Sequence, residues 1–109
     1  MATFFRNKII NELGTTRTQV IETTPTSRIT VIGFSLCNLT TATVRVSVLI
    51  EDASSTMGYY IKDITLPPFQ SARIVNGGEK LVLAENNAIY AQADTASSVD
   101  VVVSYVELV

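Results

Sequence analysis

Residues 44–50 alternate strictly: Val44, Val46, Val48 and Ile50 are separated by Arg45, Ser47 and Leu49. A period of two predicts a strand with one face on a core, because successive side chains leave a pleated backbone on opposite sides. The last stretch, residues 99–108, repeats the pattern, with Val99, Val101, Val103 and Tyr105 set against Asp100, Val102, Ser104 and Val106. Residues 28–36 differ. There Ile29 and Val31 fall on one face and Ile32, Phe34 and Leu36 on the other, which predicts a central strand covered on both sides. Shorter strands are expected over residues 18–22, 59–64, 72–75, 80–83 and 89–92. The punctuation between them is Thr24-Pro25-Thr26-Ser27, a turn at 38–41, a polar loop at 51–56, Leu66-Pro67-Pro68, Glu85-Asn86-Asn87 and a loop at 94–98. Asn76-Gly77 is a hairpin signal, since both residues tolerate positive φ. Residues 4–13 read as a further strand. A helix is also allowed there, with Phe5, Ile9, Ile10 and Leu13 near helical spacing and Gly14 as a terminator.

This pattern predicts one all-β domain, an antiparallel β-sandwich or jelly-roll-like fold of about eight to nine short strands. Residues 14–109 form the sandwich, and residues 1–13 are either its first strand or an N-terminal arm. The expected core is Ile29, Val31, Phe34, Val44, Val46, Val48, Val101 and Val103.

Composition sharpens the picture. The chain carries 13 Val, 10 Ile and 14 Thr in 109 residues, side chains stiff at χ1 and suited to a pleated surface. A chain this long can bury a core without metal or disulfide. With no His and one Cys, zinc triads, Ser-His-Asp triads and Cys-His pairs are excluded. The formal charge is −2 and the eight basic residues are scattered from Arg6 to Lys80, so nucleic acid is not an expected partner. No apolar run approaches the roughly 20 residues of a spanning helix, so neither is a membrane. The opening residues, Met1 to Arg6, lack a cationic segment followed by an apolar run and read as no signal peptide. A lone cysteine fits a protein made in a reducing cytoplasm.

The residues of types that carry chemistry each have a plainer reading. Cys37 has no histidine to activate it and reads as a small buried hydrophobe. Glu51-Asp52 is the only adjacent acidic pair, but it lacks a Ca²⁺-loop order and reads as a solvated loop. Asp94 and Asp100 flank one loop, yet nothing places them across one cleft as a glycosidase pair requires. Gly77-Gly78 has no phosphate-loop lysine motif behind it. Asn38-Leu39-Thr40 matches a glycosylation sequon by chance. No catalytic residue, cofactor or metal ligand is expected.

The aromatic pairs Phe4-Phe5 and Tyr59-Tyr60 stand apart. In a strand each pair turns one ring inward and one outward, and outward aromatics are enriched at buried interfaces. Phe4, Phe5, Ile9, Ile10, Tyr59 and Tyr60 are therefore the candidate interface residues. The apolar load before Gly14-Thr15-Thr16 also fits an arm that lies on a neighbouring subunit.

The order of these motifs has a wider resemblance. Gly14-Thr15-Thr16, Thr23-Thr24-Pro25, Leu36-Cys37-Asn38, Ile61-Lys62-Asp63-Ile64 before Leu66-Pro67-Pro68, Asn76-Gly77-Gly78-Glu79-Lys80-Leu81-Val82-Leu83 and Val99-Asp100-Val101-Val102-Val103-Ser104 together resemble small β-sandwich virion proteins of tailed bacteriophages. The resemblance spans residues 14–109 and rests on strand and turn signatures. It implies a non-enzymatic structural component of the particle, made in the host bacterial cytoplasm, with a head decoration (cement) protein preferred. The alternatives are a neck, tail or baseplate accessory protein, or a carbohydrate-binding module using Tyr59, Tyr60, Asn86 and Asn87. The partners implied are copies of itself, as a trimer or hexamer, and other virion proteins such as the major capsid protein. No functional residues carry over from that family.

Overall fold

A computed structural model describes residues 2–75 and 79–109. The described residues form nine strands: β1 (Thr3–Leu13), β2 (Thr18–Glu22), β3 (Arg28–Asn38), β4 (Val44–Glu51), β5 (Met57–Leu66), β6 (Ser71–Val75), β7 (Leu81–Leu83), β8 (Ala88–Ala93) and β9 (Val99–Leu108). One sheet has the order β1-β9-β3-β6, with β7 also on β3, and the other β2-β8-β4-β5. Every pairing is antiparallel. The two sheets close over a common core, so the chain is a β-sandwich. The helical alternative for residues 4–13 does not occur, and Gly14 has no positive φ with which to end one.

The core is the one the alternation predicts. Val31, Val44, Val46, Val48, Val101 and Val103 are fully buried, and Ile29 and Phe34 nearly so. Leu36, Leu66, Leu83 and Ile89 complete the same cluster. Each such side chain contributes about 1.5–3 kcal/mol by leaving water.

β3 departs from its expected pattern. Only one of its faces is buried, and Ile29, Val31, Phe34 and Leu36 all lie on it. The register against β9 shifts between Val31 and Gly33, so an extra residue, Ile32, bulges out of the ladder. A β-bulge moves every later side chain to the opposite face. Phe34 and Leu36 thereby join Ile29 and Val31 inside, while Ile32 is left exposed.

A second difference concerns β6 and β7. The Asn76-Gly77 hairpin signal lies outside the described residues. The flanking strands, however, both pair antiparallel with β3, β6 against Phe34–Cys37 and β7 against Ile29–Val31. They therefore run in the same direction, and β7 continues along the edge of β3 instead of folding back on β6.

β1 pairs with β9 of its own chain from Thr3 through Ile10 without a shift. Its inner end is anchored by buried Leu13 and by Ile10, which packs on the core. The Gly14-Thr15-Thr16 link is held as well. Gly14 C=O accepts from Ala93 N–H at 2.9 Å, and Thr15 C=O from Gln92 Nε2 at 2.8 Å. Thr3–Leu13 is thus the first strand, at the edge of its sheet.

Candidate interaction surfaces

The bulge at Ile32 determines what the outer face of the five-stranded sheet presents. Cross-strand partners share a face. One row across that face is Phe5 (β1), Val106 (β9), Thr30 (β3) and Val82 (β7). A second is Ile9, Val102, Ser35 and Arg73. Between them lies a row of small or polar residues, Asn7, Ser104 and Gly33, beside the bulged Ile32. Phe5 is 80% exposed, Val82 65% and Ile9 56%, with Ile32 and Val102 at about 40%. The low central row leaves a depression of about 620 Å³ lined by Phe5, Arg6, Asn7, Ile32, Ser104 and Tyr105. A Cβ at Gly33 would sit in ordinary contact with Ser104, 3.7 Å from its Cβ. The exposed apolar side chains lie in two rows of one face with the polar central row between them, and such grouping marks an interaction site more often than single scattered apolar residues do.

The six expected interface residues are only partly brought together. Phe4, Phe5, Ile9 and Ile10 lie on β1, at one edge of the five-stranded sheet, and Tyr59 and Tyr60 on β5, at an edge of the four-stranded sheet. β1 neighbours β2 across the sandwich while β5 neighbours β6, so the two aromatic pairs sit on opposite sides of the fold. Phe5 and Ile9 point outward. Ile10 and Tyr60 turn inward and pack on the core. Phe4 faces the core side but is 41% exposed, with the Arg6 guanidinium 4.7 Å from its ring centroid. Arg6 in turn donates to Glu107 Oε1 at 2.9 Å.

Ile32, Val82 and Val102 belong to the apolar face and were not among the expected interface residues. The alternation of β9 does place Val102 outward, so its signal was present in the sequence. Ile32 was hidden by the bulge.

The four-stranded sheet has a polar outer face. Leu49, on that face, is buried between its cross-strand partners Tyr59 and Tyr90. Beside them a groove of about 350 Å³ is lined by residues including Arg45, Ser47, Tyr59, Lys62, Asp63 and Asp94. The groove follows from a bulge in β5, where Lys62 and Asp63 stand opposite Ser47. Asp63 takes φ 52°, and its N–H donates to Ser47 Oγ at 3.0 Å. Tyr59 is the one member of the carbohydrate-binding alternative in this groove. The Tyr60 hydroxyl instead donates to Ile74 C=O at 3.3 Å and Glu79 Oε1 at 3.1 Å. Burial beneath β6, and then Glu79, push its pKa above the ordinary value. Asn86 and Asn87 turn the chain between β7 and β8.

The acidic residues serve the backbone. Asp52 Oδ1 accepts from Ser54 Oγ at 2.7 Å, Ser54 N–H at 2.9 Å and Thr56 N–H at 3.1 Å, and these bonds hold its pKa below the usual carboxylate value. Asp94 Oδ1 accepts from Arg45 N–H at 3.1 Å, and Asp100 Oδ1 from Glu12 N–H at 2.9 Å. Asp94 follows β8 of one sheet and Asp100 lies in β9 of the other, so they do not share a face. Among the described residues no three His, Cys, Asp or Glu side chains are grouped as metal ligands. Cys37 is half-buried in β3.

No protein-family model matches the chain, and no curated protein matches it.

Proposed function

We propose that this protein is a non-enzymatic structural component that works by assembly, through the outer face of its five-stranded sheet. The observation that carries this reading is the apolar set Phe5, Ile9, Ile32, Val82 and Val102, gathered on one sheet face and exposed. The occupant proposed for that face is a second copy of the chain. These side chains would form the apolar centre of an interface, which at standard size buries roughly 800 Å² per partner. Such a set in the sandwich interior would each be worth about 1.5–3 kcal/mol. The acidic residues support a structural role too, since Asp52, Asp94 and Asp100 are all occupied in capping backbone N–H groups.

The assembly we propose is a tailed-phage particle, with head decoration preferred and a neck, tail or baseplate position as the alternative. Its support is the order of strand and turn motifs set out above, a warrant by analogy. Immunogold labelling of virions, with antibody raised against this chain, tests it. Label over heads is the expected result. Label confined to the tail or baseplate moves the protein to the accessory position, and unlabelled virions overturn the particle reading. Val82→Lys, which touches no core residue, should abolish incorporation while leaving the fold intact.

A further inference from the structure

β1 carries a chemical palindrome. Around Asn7 the sequence reads Phe4-Phe5-Arg6-Asn7-Lys8-Ile9-Ile10: two apolar residues, a basic one, the asparagine, a basic one, two apolar residues. We propose that β1 pairs antiparallel with β1 of a second copy about a two-fold axis through Asn7, joining two five-stranded sheets edge to edge. The proposal rests on the assembly reading above and names the contact that begins it.

The backbone is arranged for this pairing. Ala2 and Val109 exchange N–H···O=C bonds of 2.9 Å in both directions, so they form a hydrogen-bonded pair of the β1–β9 ladder. The register then runs unbroken from Thr3↔Leu108 to Ile10↔Val101. Because antiparallel pairs alternate, Phe4, Arg6, Lys8 and Ile10 turn their backbone groups toward β9. Thr3, Phe5, Asn7 and Ile9 turn theirs to the open edge. A two-fold axis at Asn7 sets Asn7 opposite itself and Phe5 opposite Ile9 of the second copy, all residues whose N–H and C=O face outward.

The side chains agree with that register. On the outer face, Phe5 meets Ile9 of the second copy twice over, once on each side of the axis. On the other face Phe4 meets Ile10, again twice. A shift of one residue would set apolar positions against Arg6 and Lys8, so the palindrome selects one register. Arg6 faces Lys8 of the second copy, but Arg6 is already paired with Glu107 at 2.9 Å, so only Lys8 brings an uncompensated charge. Neither proline nor a bulge interrupts β1 from Thr3 to Ile10 to protect this edge. An interface of this type is isologous, as a two-fold contact must be. It accommodates a dimer or a hexamer and does not by itself make a trimer.

Two variants test the contact. Asn7→Pro removes an N–H that points to the open edge and leaves the β1–β9 bonds in place, so the monomer should fold while self-association in sedimentation velocity weakens at least tenfold. Asn7→Cys, made together with Cys37→Ser, places two thiols on the axis. Cα atoms of a hydrogen-bonded antiparallel pair are about 5.5 Å apart, within disulfide range. Mild oxidation should give a covalent dimer at least tenfold faster than Thr3→Cys in the same background, since about 27 Å separates that pair. Equal cross-linking rates, or Asn7→Pro associating like the unaltered chain, would overturn the β1 contact. If association survives Asn7→Pro and is lost in Val82→Lys, the sheet face assembles the protein and only the edge contact is wrong. A chain that stays monomeric in every form overturns both.

Discussion

Asn38 ends β3 beneath the loop that follows, 1% exposed, and its amide is occupied on every side. Nδ2 donates to the carbonyls of Ala42 at 2.8 Å, Leu66 at 3.0 Å and Pro67 at 3.1 Å, while Oδ1 accepts from Thr40 N–H and Thr40 Oγ1, both at 2.8 Å. One side chain thus ties the end of β3, the turn into β4 and the end of β5. An amide has two protons, so the three donor contacts amount to two full hydrogen bonds, one of them shared. With the two accepted bonds, Asn38→Ala removes four hydrogen bonds, although Ala42 C=O keeps Thr40 Oγ1 and Pro67 C=O keeps Gln70 N–H as donors. At about 1 kcal/mol net for each, the loss is about 4 kcal/mol, a large part of the roughly 5–15 kcal/mol that holds a domain of this size together. Asn38→Asp should cost at least as much, because it sets a carboxylate against three carbonyls. Thr40→Ala, which removes one partner of Oδ1 and leaves Thr40 N–H in place, should cost about 1 kcal/mol. Urea unfolding, with the slope checked for constancy across the variants, measures all three. A loss under about 1 kcal/mol for Asn38→Ala, or a milder Asn38→Asp, would refute the reasoning that this amide is a structural hub. The same burial explains why the Asn38-Leu39-Thr40 sequon has a structural use.

Other outcomes follow from the same structure. Val46→Asp puts an unpaired carboxylate at a fully buried position and should cost at least roughly 3 kcal/mol, read by thermal or urea unfolding. Tyr60 has its phenol pKa raised in the folded state, so its contribution is fully present below about pH 10 and is lost as pH rises through the folded value. Wild-type stability should therefore fall more steeply above about pH 10 than that of Tyr60→Phe, and parallel pH profiles would contradict this. Gly33→Ala should leave stability within about 1 kcal/mol, because its Cβ meets only Ser104 at ordinary contact distance. Urea unfolding measures this, and a loss of about 2 kcal/mol or more would contradict it.

Much of the fold was legible because β4 and β9 bury alternate residues and little else disturbs them. Val44, Val46 and Val48 announce their inward face with polar or outward residues between them, and Val99, Val101 and Val103 do the same. β3 was misread for a definite reason. A bulge adds one residue and reverses the facing of all that follow, and neither Ile32 nor Gly33 signals it locally. The direction of β7 was missed because Leu81–Leu83 is too short to declare a partner, and its pairing with Ile29–Val31 is set by what β3 leaves uncovered. Leu49 shows a related limit. It falls on the polar-facing side of β4, yet Tyr59 and Tyr90 flank it from neighbouring strands, an arrangement fixed only by register. The candidate surface was half visible. Phe5 and Ile9 could be found from the apolar load of β1, but joining them to Val82 requires knowing that β1, β9, β3 and β7 lie side by side.

The claim that the protein works through its apolar sheet face is tested most directly by sedimentation equilibrium of the unaltered chain beside Val82→Lys, over a wide concentration range. The account predicts that the unaltered chain associates reversibly above its monomer mass of 11.8 kDa, while Val82→Lys, equally stable, loses the association made through the sheet face and goes no further than the β1–β1 dimer. A single species of 11.8 kDa at every concentration, or indistinguishable association of the two proteins, would contradict it.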